Sequence, residues 1–365
     1  MKIEILAAVV LGCGSSADVL TSTSSGQPGE GGGVADAGTP DAGSPDTCPL
    51  TPHWVRDWAL PVQGNPTLSF HSPQPGDLWL ESFDDIHNYA QLYHRDTGTW
   101  TQMFGAFVHA TTSMWVRTPT EAWILEGNTV HIVGANPQTL QLPNDRYYSA
   151  IGDSWISYFQ PGQTLPPGCA VFPSLNNPGV LGFFRVTDSG FVDYPMPNLC
   201  SMDLPDDIYM GTAVTPYGGP LSWNGATWDW MPSHFGGGGR NSYGVISGTA
   251  SDDLYIIGAM QTEHFDGTAW KPFWFHTSDV NDSGVPRSVW AVPWGGPRWG
   301  TSTTNVFEFS SGGWQDRGRL PGSRCAIPGW AVIGSDSTDV FVTGEWVQQP
   351  PASPQYSIWI YRYSP

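Results

Sequence analysis

Residues 247–274 read SGTASDDLYIIGAMQTEHFDGTAWKPFW, and this stretch decides the fold. Ser251, Asp252 and Asp253 make a turn, because their short side chains accept hydrogen bonds from nearby backbone N–H groups. Leu254 to Ile257 is an apolar run too short for a helix and stopped by Gly258, so it reads as a buried strand. Glu263, His264 and Phe265 form a second strand. Asp266-Gly267 is a strong hairpin signal, since a type I′ turn needs residues that tolerate positive φ. Trp270 opens a third strand and brings a large side chain to bury.

Working outward, the same three marks recur: a polar turn into an apolar-aromatic strand, a strand ending at a glycine turn, then tryptophan. The first copy is Gly76-Asp77-Leu78-Trp79 with Leu92 to Trp100. The second, more worn, is Glu121-Ala122-Trp123 with Thr129 to Val133. The third is Asp153-Ser154-Trp155 with Gly182 to Phe191. The fourth is Asp206-Asp207-Ile208-Tyr209 with Leu221 to Trp228. The fifth is the opening stretch. The sixth is Ser288-Val289-Trp290 with Val306 to Trp314, and the seventh is Asp339-Val340-Phe341 with Ile358 to Tyr363. The leading aromatics Trp79, Trp123, Trp155, Tyr209, Tyr255, Trp290 and Phe341 lie on average about 44 residues apart, a spacing that suits propeller blades. A sheet of three or four short strands cannot cover both of its own faces. Stacked radially between neighbours it can, which explains first strands that are apolar without alternation. The expected fold is all-β, a seven-bladed β-propeller over residues 51–365. The weak second and third copies leave six or eight blades open. The seventh copy lacks its tryptophan-bearing strand. His53 to Pro61 resembles Trp228 to Pro232, so the amino-terminal strand is expected to complete the last blade and close the ring.

Composition agrees. The 365 residues include 44 Gly, 33 Pro and 19 Trp, a mixture that suits short strands and frequent turns, and no long stretch has helical periodicity. The net charge of −19, with Lys2 and Lys271 the lysines, argues against nucleic acid and against anionic lipid surfaces as partners.

The amino terminus carries a short apolar run, Ile5 to Leu11, and Val10-Leu11-Gly12-Cys13 resembles the bacterial lipobox, in which the cysteine is lipidated. Residues 1–13 are therefore expected to be a lipoprotein signal ending at Cys13. Residues 14–50, rich in Gly, Ser, Pro and Asp, are expected to be a disordered linker tethering the propeller to the outer membrane or cell surface. Cys48, Cys169, Cys200 and Cys325 then remain, an even number in an exported chain, with three possible connectivities. Cys325 precedes the seventh copy, where the amino-terminal strand should dock, and Cys169 and Cys200 flank one strand of the third. The expected pairs are Cys48–Cys325 and Cys169–Cys200. Unreduced peptide maps joining Cys48 to Cys169 or Cys200 would overturn this.

Asp252-Asp253-Leu254-Tyr255 and Phe265-Asp266-Gly267-Thr268-Ala269-Trp270 resemble the repeats of lipid-anchored or secreted bacterial propellers of kelch-like or sialidase type. The likeness spans most of residues 52–365 and is sharp in the first, fourth, fifth and sixth copies. Asp96-Thr97-Gly98-Thr99-Trp100 is one residue short of a sialidase Asp-box. The resemblance implies fold and export; propellers host many unrelated activities.

Candidate chemistry is sparse. Asp77, Asp207, Asp253, Asp266 and Asp339 read as turn caps. Asp279, Asn281 and Ser283 alternate as in a weak calcium loop, but Trp290 stands where a bidentate Glu is needed. No other cofactor is indicated. Two glycine-rich stretches offer binding surfaces: His234, Arg240 and Tyr243 in one, Trp294, Arg298 and Trp299 in the other. Trp and Arg dominate binding hot spots; the competing reading packs the tryptophans between blades and pairs Arg298 with an acid. No catalytic residue is identified: the nine histidines are scattered, and neither H-E-x-x-H nor G-x-S-x-G occurs. The expected function is a non-enzymatic, surface-anchored module binding a protein or glycan. A propeller glycoside hydrolase or lyase and a purely structural envelope protein are the alternatives.

Overall fold

The computed structural model describes residues 54–363 apart from 63–65, 85–88, 97, 108–111, 163–178, 188–189, 197–204, 206, 216–218, 233–242, 259–261, 277–283, 292–297, 303–304, 311, 320–331, 335–338 and 349–355. The described residues form twenty-eight strands and no helix. After β1 (Trp54–Val62), blade 1 is β2 (Pro66–His71), β3 (Leu78–Asp84), β4 (Tyr89–Asp96) and β5 (Thr99–Phe107). Blade 2 is β6 (Thr112–Thr118), β7 (Glu121–Glu126), β8 (Thr129–Gly134) and β9 (Gln138–Gln141). Blade 3 is β10 (Tyr147–Gly152), β11 (Trp155–Pro161), β12 (Gly179–Thr187) and β13 (Gly190–Pro195). Blade 4 is β14 (Asp207–Tyr209), β15 (Thr212–Thr215), β16 (Gly219–Trp223) and β17 (Trp228–Trp230). Blade 5 is β18 (Tyr243–Ala250), β19 (Asp253–Gly258), β20 (Thr262–Phe265) and β21 (Trp270–Pro272). Blade 6 is β22 (Ser288–Trp290), β23 (Arg298–Thr301), β24 (Asn305–Ser310) and β25 (Gly313–Arg319). Blade 7 is β26 (Val332–Gly334), β27 (Val340–Gln348), β28 (Tyr356–Tyr363) and β1.

Each sheet is antiparallel with its strands in meander order, and from blade 2 round to blade 1 the first strand of each blade packs beside the first strand of the next, which places those strands innermost. The result is a seven-bladed β-propeller. Its core is a set of seams. Trp79 and Leu92 of blade 1 meet Met114 and Ile124 of blade 2; Trp155 and Phe183 of blade 3 meet Ile208 and Trp228 of blade 4; Tyr255 of blade 5 meets Val289 and Phe307 of blade 6. Each fully buried Leu, Ile or Phe contributes roughly 1.5–3 kcal/mol, so seams made of such residues hold the ring together. Hydrogen bonds cross them too. Ser113 Oγ accepts from Ile151 N at 3.1 Å, and Ser247 Oγ accepts from Ala291 N at 3.1 Å.

The closing strand sits where the repeat requires. β1 is the outermost strand of blade 7, and Trp54 lies opposite Tyr363 just as Trp270 lies opposite Phe265. A bulge between Arg56 and Trp58 turns Asp57 out of the ladder. Asp57 then accepts from Trp100 Nε1 at 3.2 Å and pairs with Arg95 at 3.4 Å, both on blade 1. Arg95 also reaches Asp339 of blade 7 at 3.4 Å.

Two of the leading aromatics belong elsewhere. Trp79, Trp123, Trp155, Tyr255 and Phe341 stand on second strands, but Tyr209 and Trp290 stand on the innermost strands β14 and β22. The second strand of blade 4, TAVT, has no aromatic, and that of blade 6 carries Trp299 instead. In both blades an aromatic on the innermost strand imitated the mark. Asp207 correspondingly begins an innermost strand, away from the turn between first and second strands.

Candidate partner-binding face

Strand direction gives the ring two faces. One carries the turns between first and second and between third and fourth strands. The other carries the connections from second to third strand and from each blade to the next. They are called the turn face and the loop face below.

The turn face is knitted by acid–histidine–aromatic units. In blade 1, His94 Nε2 lies 2.5 Å from Asp77 Oδ1 and the imidazole stacks on Trp79 at 4.2 Å. In blade 5, His264 Nε2 lies 2.8 Å from Asp253 Oδ1 and stacks on Tyr255 at 4.4 Å. The unit arises from register: each His is the cross-strand partner of the aromatic it stacks on. Arg298 of blade 6 adds an ion pair to Asp253 at 2.6 Å and donates to the Tyr255 hydroxyl at 3.2 Å. Burial would raise the Asp253 carboxyl, but hydrogen bonds from Thr249 and His264 and the charge of Arg298 hold it below its ordinary value. Asp266 caps its hairpin, accepting from Thr268 N at 3.1 Å and Ala269 N at 3.0 Å. These carboxylates have their partners within the fold, so their role here is to fasten turns and neighbouring blades.

The loop face differs. Of the large apolar side chains most open to solvent, four lie toward it on three consecutive blades: Tyr147 (63 % exposed), Val245 (51 %), Trp274 (48 %) and Trp230 (39 %). Tyr147 and Val245 are on the innermost strands β10 and β18, beside the axis. Trp230 ends the outer strand β17, and Trp274 follows the outer strand β21. Beside Tyr147 is a polar cluster. Arg146 Nη2 pairs with Asp193 Oδ2 at 2.9 Å, and its guanidinium lies over Tyr158 at 4.2 Å and Phe184 at 4.7 Å. Burial works against that charge, yet the hydrogen bond and charge of Asp193 keep the guanidinium firmly protonated. Tyr158 donates to Asp193 Oδ1 at 2.5 Å, and burial followed by the neighbouring carboxylate raises its phenol. Arg146 Nε and Nη1 make no hydrogen bond among the described residues. Both atoms are buried, and Nε lies 3.6 Å from Asp145 Oδ1, so the guanidinium braces blade 3 from within beside the exposed Tyr147.

The residues singled out in the sequence fall on different faces. Tyr243 begins β18 at the loop face, whereas Arg298 begins β23 at the turn face. Trp299 is 1 % exposed, packed on Tyr363, and presents no surface to a ligand. Arg298 is engaged with Asp253. His234, Arg240, Trp294, the Asp279, Asn281 and Ser283 loop, and Cys13, Cys48, Cys169, Cys200 and Cys325 lie outside the described residues. Sequence reasoning missed Tyr147, Trp230 and Trp274. Trp230 follows the buried repeat tryptophan Trp228 by two residues and shares its face of the strand, so in sequence it reads as another buried residue.

No protein-family model matches the sequence, and no curated protein matches it in sequence. Solved structures match in fold. YCF48 bound to a D1 peptide is 15 % identical, with a TM-score of 0.52 over 87 % of this chain and 100 % of that one. YCF48 from Cyanidioschyzon merolae is 13 % identical, with a TM-score of 0.46 over 86 % and 99 %. The first of these likenesses places the chain among the β-propellers, and at this identity it speaks to fold alone.

Proposed function

We propose that this propeller is a binding module for a protein partner, which docks as an extended segment on the loop face across blades 3 to 5. The observation that carries the reading is the exposure of Tyr147, Trp230, Trp274 and Val245 toward one face of three successive blades. Exposed aromatics gathered on one face mark interaction surfaces more often than scattered ones do. The charge of −19 favours a basic or neutral partner. YCF48 in complex with a D1 peptide is a precedent for peptide binding on this fold, an analogy at the level of architecture. The module is exported and held at the cell surface by lipid on Cys13, with Cys48–Cys325 and Cys169–Cys200 as its disulfides; the lipobox-like run and the even cysteine number support this. The kelch-like or sialidase-type kinship of the repeats belongs to the same reading.

A peptide array probed with the wild-type chain and with a Tyr147→Ala, Trp230→Ala, Trp274→Ala variant tests it. Bound peptides should weaken at least tenfold in the variant while the melting temperature holds. Equal binding by both proteins, or binding confined to glycans, overturns the proposal.

A further inference from the structure

The seam between blades 4 and 5 is unlike its neighbours. Glu263 on β20 is fully buried, and among the described residues neither carboxylate oxygen has a hydrogen-bond partner. Register fixes its direction. It is the cross-strand partner of Ile256 and Pro272, and Ile256 packs with Val214 of blade 4, so Glu263 points into the seam. At the inner edge, Asp207 of blade 4 accepts from Ile246 N of blade 5 at 2.9 Å, and from Ile208 N at 2.8 Å. By register, the titratable groups on the two facing surfaces are Asp207, Tyr209 and Asp229 of blade 4 and Glu263 of blade 5, with Asp153 of blade 3 close enough to act on Tyr209. Among the described residues neither surface presents Lys or Arg. Two acids at other seams carry a counter-charge: Asp57 is matched by Arg95 and Asp253 by Arg298.

We propose that this seam is a proton-operated latch, in which blades 4 and 5 stay closed while Glu263 and Asp207 carry protons and loosen when both carboxyls ionise. A neutral carboxyl in an apolar seam is tolerable; an anion there, without a counter-charge, is costly. Burial alone pushes Glu263 up to about 7, and burial pushes Asp207 up to about 6 against the two backbone N–H groups that favour its anion. Both values stand above the ordinary ones, so the folded chain holds these protons more tightly than the unfolded chain. The associated stability is complete below the ordinary carboxyl values near 4, declines as pH rises above them, and is fully lost once pH has passed about 6 to 7. The ring therefore opens first between blades 4 and 5, away from the ionically stapled closure at β1.

Hydrogen exchange of the full chain at pH 5.5 and 8.0, corrected for intrinsic rates, tests the latch. Wild-type segments 207–215 and 243–258 should lose protection by roughly ten- to hundred-fold at the higher pH relative to blades 1 and 2. Glu263→Gln and Glu263→Met, each lacking the ionisable group, should abolish most of that difference. Uniform loss across all blades, or an unchanged loss in a folded variant, overturns the proposal. Infrared difference spectra of the wild type between pH 5 and 8 stand independent of variant folding. A protonated-carboxyl band that bleaches between pH 6 and 7 supports the latch, and its absence at pH 5 overturns it.

Discussion

Trp54 faces Tyr363 across the outermost ladder of blade 7, ring centroids 5.3 Å apart with planes at 63°. The pairing repeats Trp270 opposite Phe265, Trp314 opposite Phe309 and Trp228 opposite Trp223. The first described strand of the chain thus supplies the tryptophan that the last repeat lacks. A ring closed by one strand from each terminal region turns that strand's side chains into determinants of the whole fold.

Trp58 of β1 stacks on Trp100 of blade 1 at 5.2 Å and meets Tyr93 edge-on at 4.9 Å. Trp58→Ala removes both contacts across the closure and should cost about 2–4 kcal/mol in urea unfolding. A loss below about 1 kcal/mol would mean that backbone pairing to β28 alone holds the strand.

Arg298 bridges blades 5 and 6 through Asp253 and Tyr255. Arg298→Met keeps the aliphatic packing over Phe309 and deletes the charge, leaving Asp253 with the hydrogen bonds to His264 and Thr249. The variant should lose about 1–3 kcal/mol at neutral pH. Because the folded Asp253 carboxyl lies below its ordinary value, the contribution is present above that value and lost as pH falls below it. Wild type and variant should therefore converge in stability in acid, which denaturant melts at pH 7 and pH 3 would reveal.

Much of this was legible in sequence, and the reasons are local. Blade 5 carries every mark, and β1 was found because His53 to Pro61 resembles the strand opening at Trp228. Blades 4 and 6 were read one strand out of place because Tyr209 and Trp290 imitate the second-strand aromatic. The partnership of Arg298 with Asp253 spans 45 residues. That is one blade of sequence, a separation that says nothing until the ring is assumed. Glu263 was hidden for a different reason. A glutamate beside a histidine in a short strand reads as a solvent face, and here both faces of the sheet are covered by neighbouring blades. The exposed Tyr147 and Trp274 look in sequence like any other buried aromatic of this tryptophan-rich chain.

Gly152 closes β10 at the seam to blade 4, where a Cβ would overlap the carbonyl oxygen of Ile208. That atom belongs to the backbone of an inner strand and cannot swing aside. Gly152→Ala should cost about 1–3 kcal/mol through overpacking. Gly313→Ala, where a Cβ meets open space, should change the unfolding midpoint little. Equal effects at the two positions would contradict the close approach of blades 3 and 4.

His71, at the end of β2 and opposite Trp79, is held neutral: burial lowers its imidazole to about 4 from an ordinary 6.5. Between those values the unfolded chain takes up a proton that the folded chain refuses. Stability should fall as pH drops from about 6.5 to 4, by no more than about 3 kcal/mol in all. The sign is opposite to that of Glu263 and Asp207 over much of the same range, so the wild-type profile is their balance and each group shows only by difference. His71→Gln keeps a polar side chain without the titration. Subtracting its stability from that of the wild type at half-unit steps should give a difference that moves against the wild type below pH 6.5 and levels off near 4. A difference that stays flat from pH 7 to 4 would place the His71 imidazole in a protonatable, solvated environment and contradict its burial.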